Sequence, residues 1–271
     1  MDRKQIYTIL IIIVSVIFYV ANDHLDKKNE NYSKTEIEPG EIETEFDITF
    51  LPQSTTGNII THNFYTLSYS EKHEQAEWVS YELKSEHISK NDFKRPYFVE
   101  DRKVKSKSAD WRNYKKSGYD KGHLCPAGDR TFNYDAYHET FLTSNISPQN
   151  NEFNRGIWNR LEQKTRYWSK KHGEVYVITG GVLQGQLNSI GEERVSVPNY
   201  FYKIIVSNND KELNAIAFLI PNESSSQSFY EYVVTIDEIE SKTKIDFFPN
   251  LDDVLENDLE SRIDLKYWDK Y

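Results

Sequence analysis

Cysteine is nearly absent. Cys125 is the single one among 271 residues, so no intramolecular disulfide can staple this chain. Lying two residues after His123, it could be read as a nucleophile or a metal ligand, but in an apolar-flanked turn the expected role is a buried small hydrophobe. A basic surplus is also missing. A formal charge of −10 and a pI near 5.3 exclude a protein that coats nucleic acid through general positive charge. No internal repeat or long low-complexity tract is visible. The main hydrophobic run, Ile6–Ala21, is longer than a signal-peptide core of about 7–15 residues and shorter than a membrane span of about 17–25.

Arg3 and Lys4 precede that run, and Asp23 and Asp26 follow it, which predicts a cytoplasmic N-terminus with the body outside. Cleavage after Ala21 would put bulky Tyr19 at −3, so an uncleaved anchor is expected over 1–22; the product is secreted or periplasmic if the segment is removed. Residues 23–45 are polar, charged and almost free of aromatics, as in a flexible stalk. A catalytic body over 46–251 and an acidic tail over 252–271, loosely docked through Trp268, complete the expected organisation.

What the chain has in abundance is aromatic side chains, 14% of residues with 19 Tyr and 14 Phe, which favours a strand-containing globular fold. It also has a local reversal of charge. Between Lys94 and Arg130, 11 cations face 5 anions, a basic strip suited to a polyanionic substrate. Strands are expected at 46–51, 63–69, 77–83, 175–179, 195–206 and 213–220 from alternating or β-branched runs. Helices are expected at Phe153–Lys171, with Gly173 beyond its end, and at Ile236–Thr243, where Thr235 and Glu238 form a capping pair. Strands on both sides of one long helix predict an α+β domain with a central, mostly antiparallel sheet.

Two segments carry chemistry. In Asp120-Lys121-Gly122-His123 an imidazole that titrates near neutrality sits between carboxylates and cations, with Gly122 permitting close backbone approach. Asp120 and Asp129 either fix the ring's tautomer or brace the loop. In the second segment Asn154 offers a hard amide oxygen suited to Mg²⁺, and Glu162 follows eight residues later. On a regular helix these two lie about 80° apart around the axis and about 12 Å apart along it, too far to chelate one ion together. The consistent assignment is direct ligation by Asn154, with Glu162 holding metal-bound waters.

These segments, with Leu142–Gln149, Val175–Gly180, Val197-Pro198, Phe201, Lys203, Ile220–Asn222 and Ile236–Glu240 in the same order, resemble the DNA/RNA non-specific endonucleases, the ββα-metal or His-Me finger nucleases. The resemblance implies hydrolysis of DNA and RNA with one divalent ion, Mg²⁺ or alternatively Mn²⁺ or another such cation. It implies His123 as general base, Asn154 as the direct metal ligand and Glu162 as the residue that orients metal waters. Lys121 stands where the family has an arginine. A second family arginine maps to Arg95, with Lys94 the alternative register, and Arg155 is a further phosphate contact.

Two other functions compete with a sequence-tolerant nuclease. One is a catalytically weak or silent nucleic-acid-binding module of the same fold. The other is a phosphodiesterase acting on a different polymer. Pairing with a second copy, an inhibitor protein and membrane attachment through the N-terminal segment are the further partners considered.

Overall fold

The computed structural model describes residues 4, 5, 7, 10–20, 48–89, 91–209 and 212–269. Residues 10–20 are helical and exposed, and among the described residues no helix is long and apolar enough to cross a membrane. Parts of the Ile6–Ala21 run and the whole expected stalk lie outside the described residues.

The body is organised by its strands. In chain order they are β1 (Ile59–Thr61), β2 (Thr66–Ser70), β3 (Gln75–Lys84), β4 (Tyr119–His123), β5 (Ile146–Asn150), β6 (Glu174–Gly181), β7 (Asn188–Ile190), β8 (Val195–Val197), β9 (Tyr200–Asn209), β10 (Glu212–Pro221) and β11 (Val233–Val234). Seven form one sheet, in the order β1-β2-β3-β6-β9-β10-β11, with every neighbouring pair antiparallel. β4 pairs with β5, and β7 with β8, as separate ribbons. The helices are α1 (Tyr134–Glu139), α2 (Asn159–His172), α3 (Ile236–Thr243) and α4 (Asp253–Ser261).

The central strands are buried on both faces, and their period of two divides the core in half. Val175, Val177, Phe201, Ile205 and Phe218 point to the side where α2 packs through Leu161 and Trp168. Tyr176, Ile178, Tyr202, Ile204 and Leu219 point to the other side, under Ile236 and Ile239 of α3 and Leu259 of α4. An α+β architecture with a central antiparallel sheet is therefore what the chain builds.

Several expected elements differ. The described part of 46–51 is a short 3₁₀ turn, Ile48–Phe50, because Phe50 drops into the core against Tyr176 and Phe248. The run 195–206 is two strands, interrupted at Pro198-Asn199, where proline cannot donate to a ladder. β4 and β5 escape pattern reading because one is polar and the other contains Pro148, yet they pair over five positions. α3 matches its expected bounds, and Thr235 caps it by accepting from the Glu238 N–H.

The acidic tail needs a correction. It is not loosely docked: it contains α4, and Trp268 is fully buried edge-on against Trp168 at 5.0 Å, beside His172 and Tyr267. Tyr230 donates its hydroxyl to the Trp268 carbonyl at 2.8 Å, fixing the end of the body.

Candidate active site

The β4–β5 ribbon delivers His123. Its register sets Gly122 opposite Ser147 and His123 opposite Ile146, and the Gln149 side chain lies directly over Gly122. A Cβ on Gly122 would sit 2.1 Å from the Gln149 side-chain carbon, so only glycine lets the ribbon close. Beyond β4, Asn145 clamps the exit turn, accepting from the Cys125 N–H at 2.8 Å and donating to its carbonyl at 2.9 Å. Cys125 is fully buried and burial pushes its thiol up to about 12, which suits the small-hydrophobe role and not a nucleophile.

The His123 ring is held between Phe98 and Phe141, at centroid distances of 5.5 and 5.1 Å. Its Nε2 is buried and has no hydrogen-bond partner. Burial, and then the Arg95 cation, lower its pKa to about 3, so the ring is neutral near pH 7 and has a lone pair to offer.

Two cations share this aromatic nest. The Arg95 guanidinium lies 5.7 Å from the Phe98 ring and 5.6 Å from Phe141, the same rings that flank His123. Lys121 Nζ lies over Phe98, Trp111 and Tyr114 at 5.4–6.0 Å, and burial followed by repulsion from Arg95 lowers its pKa. Other members of the basic strip are engaged elsewhere: Lys103 donates to the Thr61 carbonyl, Lys107 pairs with Glu100, and Arg112 with Asp110. The loop carrying Arg95 is anchored by buried Asp101, which accepts from Ser144 at 2.6 Å and pairs with His62 at 2.8 Å.

The flanking carboxylates brace the scaffold. Asp129 is fully buried and accepts from the Tyr81 hydroxyl at 2.9 Å and the Arg166 guanidinium at 2.6 Å. Asp120 accepts from Asn151 at 3.1 Å and from the Asn154 side-chain amide at 3.0 Å, and pairs with exposed Arg155 at 3.7 Å. Because Asp120 takes the amide nitrogen, the Asn154 oxygen is the end turned away from it.

Asn154 opens a widened turn. The chain is helical from Asn151, passes through a π turn at Asn154–Trp158 kinked at Gly156 (φ −96°, ψ −107°), and continues as α2. No heavy atom comes closer than 4.0 Å to a Cβ built there, so Gly156 serves the turn and not a close neighbour. The kink interrupts the helix between Asn154 and Glu162, so the regular-helix relation of these two residues does not carry across Gly156.

Glu162 is half-buried, and desolvation raises its pKa to about 7, opposed by the Lys203 cation. Lys203 itself is completely buried, with its Nζ 4.8 Å from the Trp158 ring and without a hydrogen-bond partner. Burial lowers its pKa, and the Glu162 carboxylate offsets only part of that shift. Its role was not apparent from the motif alone. The signal was available in β9, where Phe201, Lys203 and Ile205 alternate onto the α2 face, putting a lysine where the period demands an apolar residue. Gln149 was likewise overlooked, and both its side-chain polar atoms are buried without partners.

The donors fit a hard divalent cation: an amide oxygen oriented by Asp120, a carboxylate farther along the same helical segment, and no thiolate or second imidazole among the residues gathered here. Arg95, Lys121, His123, Asn154, Arg155 and Glu162 are thus placed on β4, the loop before it and the helix that follows β5.

Comparison with known proteins bears on this arrangement. Residues 43–254 match the family model described as DNA/RNA non-specific endonuclease. The mitochondrial nuclease EXOG of Danio rerio is 34% identical over 208 residues, covering 69% of this chain and 61% of that protein. A Nostoc nuclease is 31% identical, covering 76% of this chain and 78% of its own length, and nuclease C1 of Cunninghamella echinulata is 31% identical, covering 73% and 85%. In a crystal structure of the EndoG/EndoGI complex, described as showing the mechanism of EndoG inhibition, a chain 30% identical superposes with a TM-score of 0.68 over 72% of this chain and 87% of that one. This chain spans 56–61% of the length of the vertebrate mitochondrial nucleases.

Proposed function

This chain belongs to the DNA/RNA non-specific endonuclease family, and from that premise we propose that it hydrolyses phosphodiester bonds of DNA and RNA with a divalent cation, by preference Mg²⁺. The observation that carries the reading is a neutral His123 between the aromatic rings that also flank Arg95 and Lys121, on the strand whose Asp120 orients Asn154.

Asn154 would hold the cation directly and Glu162 would act through its water shell. When bound, the ion supplies Lewis-acid stabilisation of charge at the phosphate. The protein's own groups do the rest. Exposed Arg95 and half-buried Lys121 receive the phosphate oxygens beside these aromatic rings. A phosphate seated there adds negative charge beside His123, which offsets the cations that depress its proton affinity. The ring then takes a proton from the attacking water while the bond from phosphorus to the leaving oxygen breaks, and that oxygen takes up a proton from solvent. Arg155, exposed on the same helical segment, extends the contact to the next phosphate. Little base preference follows, because these groups address phosphate and not base edges.

Lys121 carries the charge of the family arginine without its two-pronged geometry, so weaker phosphate binding is the expected cost. Retention of His123, Asn154 and Glu162 in one constellation argues against a silent binding module. Digesting plasmid, RNA and a small phosphodiester with and without chelator tests the reading: nucleic acid should be cut, and EDTA should stop it. Cleavage of the small diester alone would instead favour a different polymer.

We further propose export with attachment or cleavage at the N-terminal segment, supported by Arg3 and Lys4 before Ile6–Ala21 and Asp23 beyond it. N-terminal sequencing of the mature protein distinguishes the two fates. Gel filtration alone and with candidate inhibitor proteins would address self-pairing and inhibition, the latter suggested by the inhibited relative.

A further inference from the structure

A cavity of about 290 Å³ opens at the start of β4, lined by Tyr119, by the corner at residues 198–200 and by the end of β10 at residues 221–223. One side chain knots these walls together. Asn222 donates its amide to the carbonyls of Pro148 and Pro198 at 3.1 and 3.0 Å and accepts the Asn150 N–H at 2.8 Å. Asn150 in turn caps the helical segment that leads to Asn154, accepting from the Glu152 and Phe153 N–H groups. The cavity is therefore built on the same ribbon and the same helix start that present His123 and Asn154.

β4 sets the spacing. Tyr119, Lys121 and His123 alternate onto one side of the strand, each packed with members of the cluster around Phe98, Tyr114 and Phe141. At about 3.4 Å per residue, Tyr119 lies about 7 Å from Lys121 and about 14 Å from His123 along the strand. A nucleic-acid strand cut at His123 thus carries its neighbouring nucleotides past this cavity.

The lining selects the occupant. Among the described residues that wall the cavity none is a cation, and the one charge is the Glu223 carboxylate, so a phosphate would be repelled. What remains suits a flat, neutral ring. Tyr200 is 43% exposed, Val197, Pro198 and Pro221 add apolar surface, and the side-chain amides of Asn188 and Asn199 have no partner among the described residues. The volume stands at the lower end of small-molecule sites, room for one base but not for a duplex.

We propose that this cavity is a subsite for one unpaired nucleobase of the strand being cut, held by stacking on Tyr119 and Tyr200. The inference rests on the nuclease reading and adds to it a place for a base beside the phosphate track. A base inside a duplex is stacked and paired and enters only if extruded, so the subsite favours single strands and looped or frayed regions. Stacking accepts every base through its π-face, which keeps sequence preference low.

The test is equilibrium binding of the full chain, in EDTA so that nothing is cut, to three labelled DNA probes of equal length. These are a mixed-sequence single strand, the same backbone made of abasic units, and the duplex. The single strand should bind more tightly than the abasic backbone. Tyr119→Ala with Tyr200→Ala should weaken the single strand by roughly fivefold or more, the loss expected for one stacked base, and leave the other two probes within about twofold. Phenylalanine at both positions should keep the parent affinity, because the rings remain. Tyr200→Ala alone, at the exposed position, carries the comparison if the pair does not fold. Equal binding of the single strand and the abasic backbone by the parent overturns the proposal. So does an alanine variant that weakens all three probes alike, or none of them. Failure of the nuclease reading shows separately, as a parent that leaves plasmid and RNA intact with magnesium; a base-dependent affinity in that case keeps the subsite and removes the reaction.

Discussion

The Asn154 side-chain amide donates to Asp120 Oδ2 at 3.0 Å, and this one contact decides which end of the amide is presented as a ligand. A freely rotating asparagine would offer nitrogen and oxygen alike. Asp120 removes that choice, linking the β4 strand that bears His123 to the helix that bears the metal donors.

Replacing Asp120 with alanine should therefore weaken the metal without touching any ligand. The expected change is a roughly 10–100-fold higher Mg²⁺ concentration for half-maximal cutting, with activity recovering at saturating metal. Nuclease assays across a magnesium series check this, and an unchanged metal requirement would refute it.

His123→Ala removes the one neutral base in the nest. Turnover on plasmid and RNA should fall by roughly a hundred- to ten-thousand-fold, while calorimetric Mg²⁺ binding stays near the parent value. Loss of metal binding as well would mean the ring has a structural role.

Lys203→Met tests the buried cation. Lys203 holds the Glu162 pKa below the value burial alone would impose, so its removal must raise that pKa above about 7. More of Glu162 is then protonated at neutral pH, and the acid limb of the pH–rate profile should move to higher pH. An unshifted profile in a folded variant would show that Lys203 is electrostatically silent.

Lys121→Arg restores a two-pronged cation over Phe98, Trp111 and Tyr114. The expected result is a severalfold lower KM for nucleic acid with the same magnesium requirement. Steady-state kinetics on a labelled oligonucleotide measure both.

Trp268→Ala should cost about 3–5 kcal/mol, the usual loss for emptying a buried aromatic position. Denaturant unfolding reads it directly. A loss under about 1 kcal/mol would mean the C-terminal segment is dispensable to the core after all.

How far this was legible depended on the kind of signal. The α3 helix was readable to its ends because capping by Thr235 and the spacing of Ile236 and Ile239 agree. His123, Asn154 and Glu162 stood out because their chemistry is distinctive whatever the local fold. β4 and β5 were opaque since their partners, and not their own propensities, make them strands: Gly122, Pro148 and Gln149 are poor strand formers tolerated through pairing and close packing. The kink between Asn154 and Glu162 was not legible because a sequence announces a helix but not a break within one turn. Trp268 was underestimated because acidic neighbours on α4 masked a fully buried anchor.

The kinked turn at Gly156 has an evolutionary corollary. Alanine there would favour a regular helix by up to about 1 kcal/mol, yet a regular helix would erase the kink that sets Asn154 relative to Glu162. Any selection scheme that rewards heat resistance will be drawn to this position and will breed well-folded proteins that no longer cut. Directed evolution of this scaffold should accordingly screen for cleavage first and robustness second.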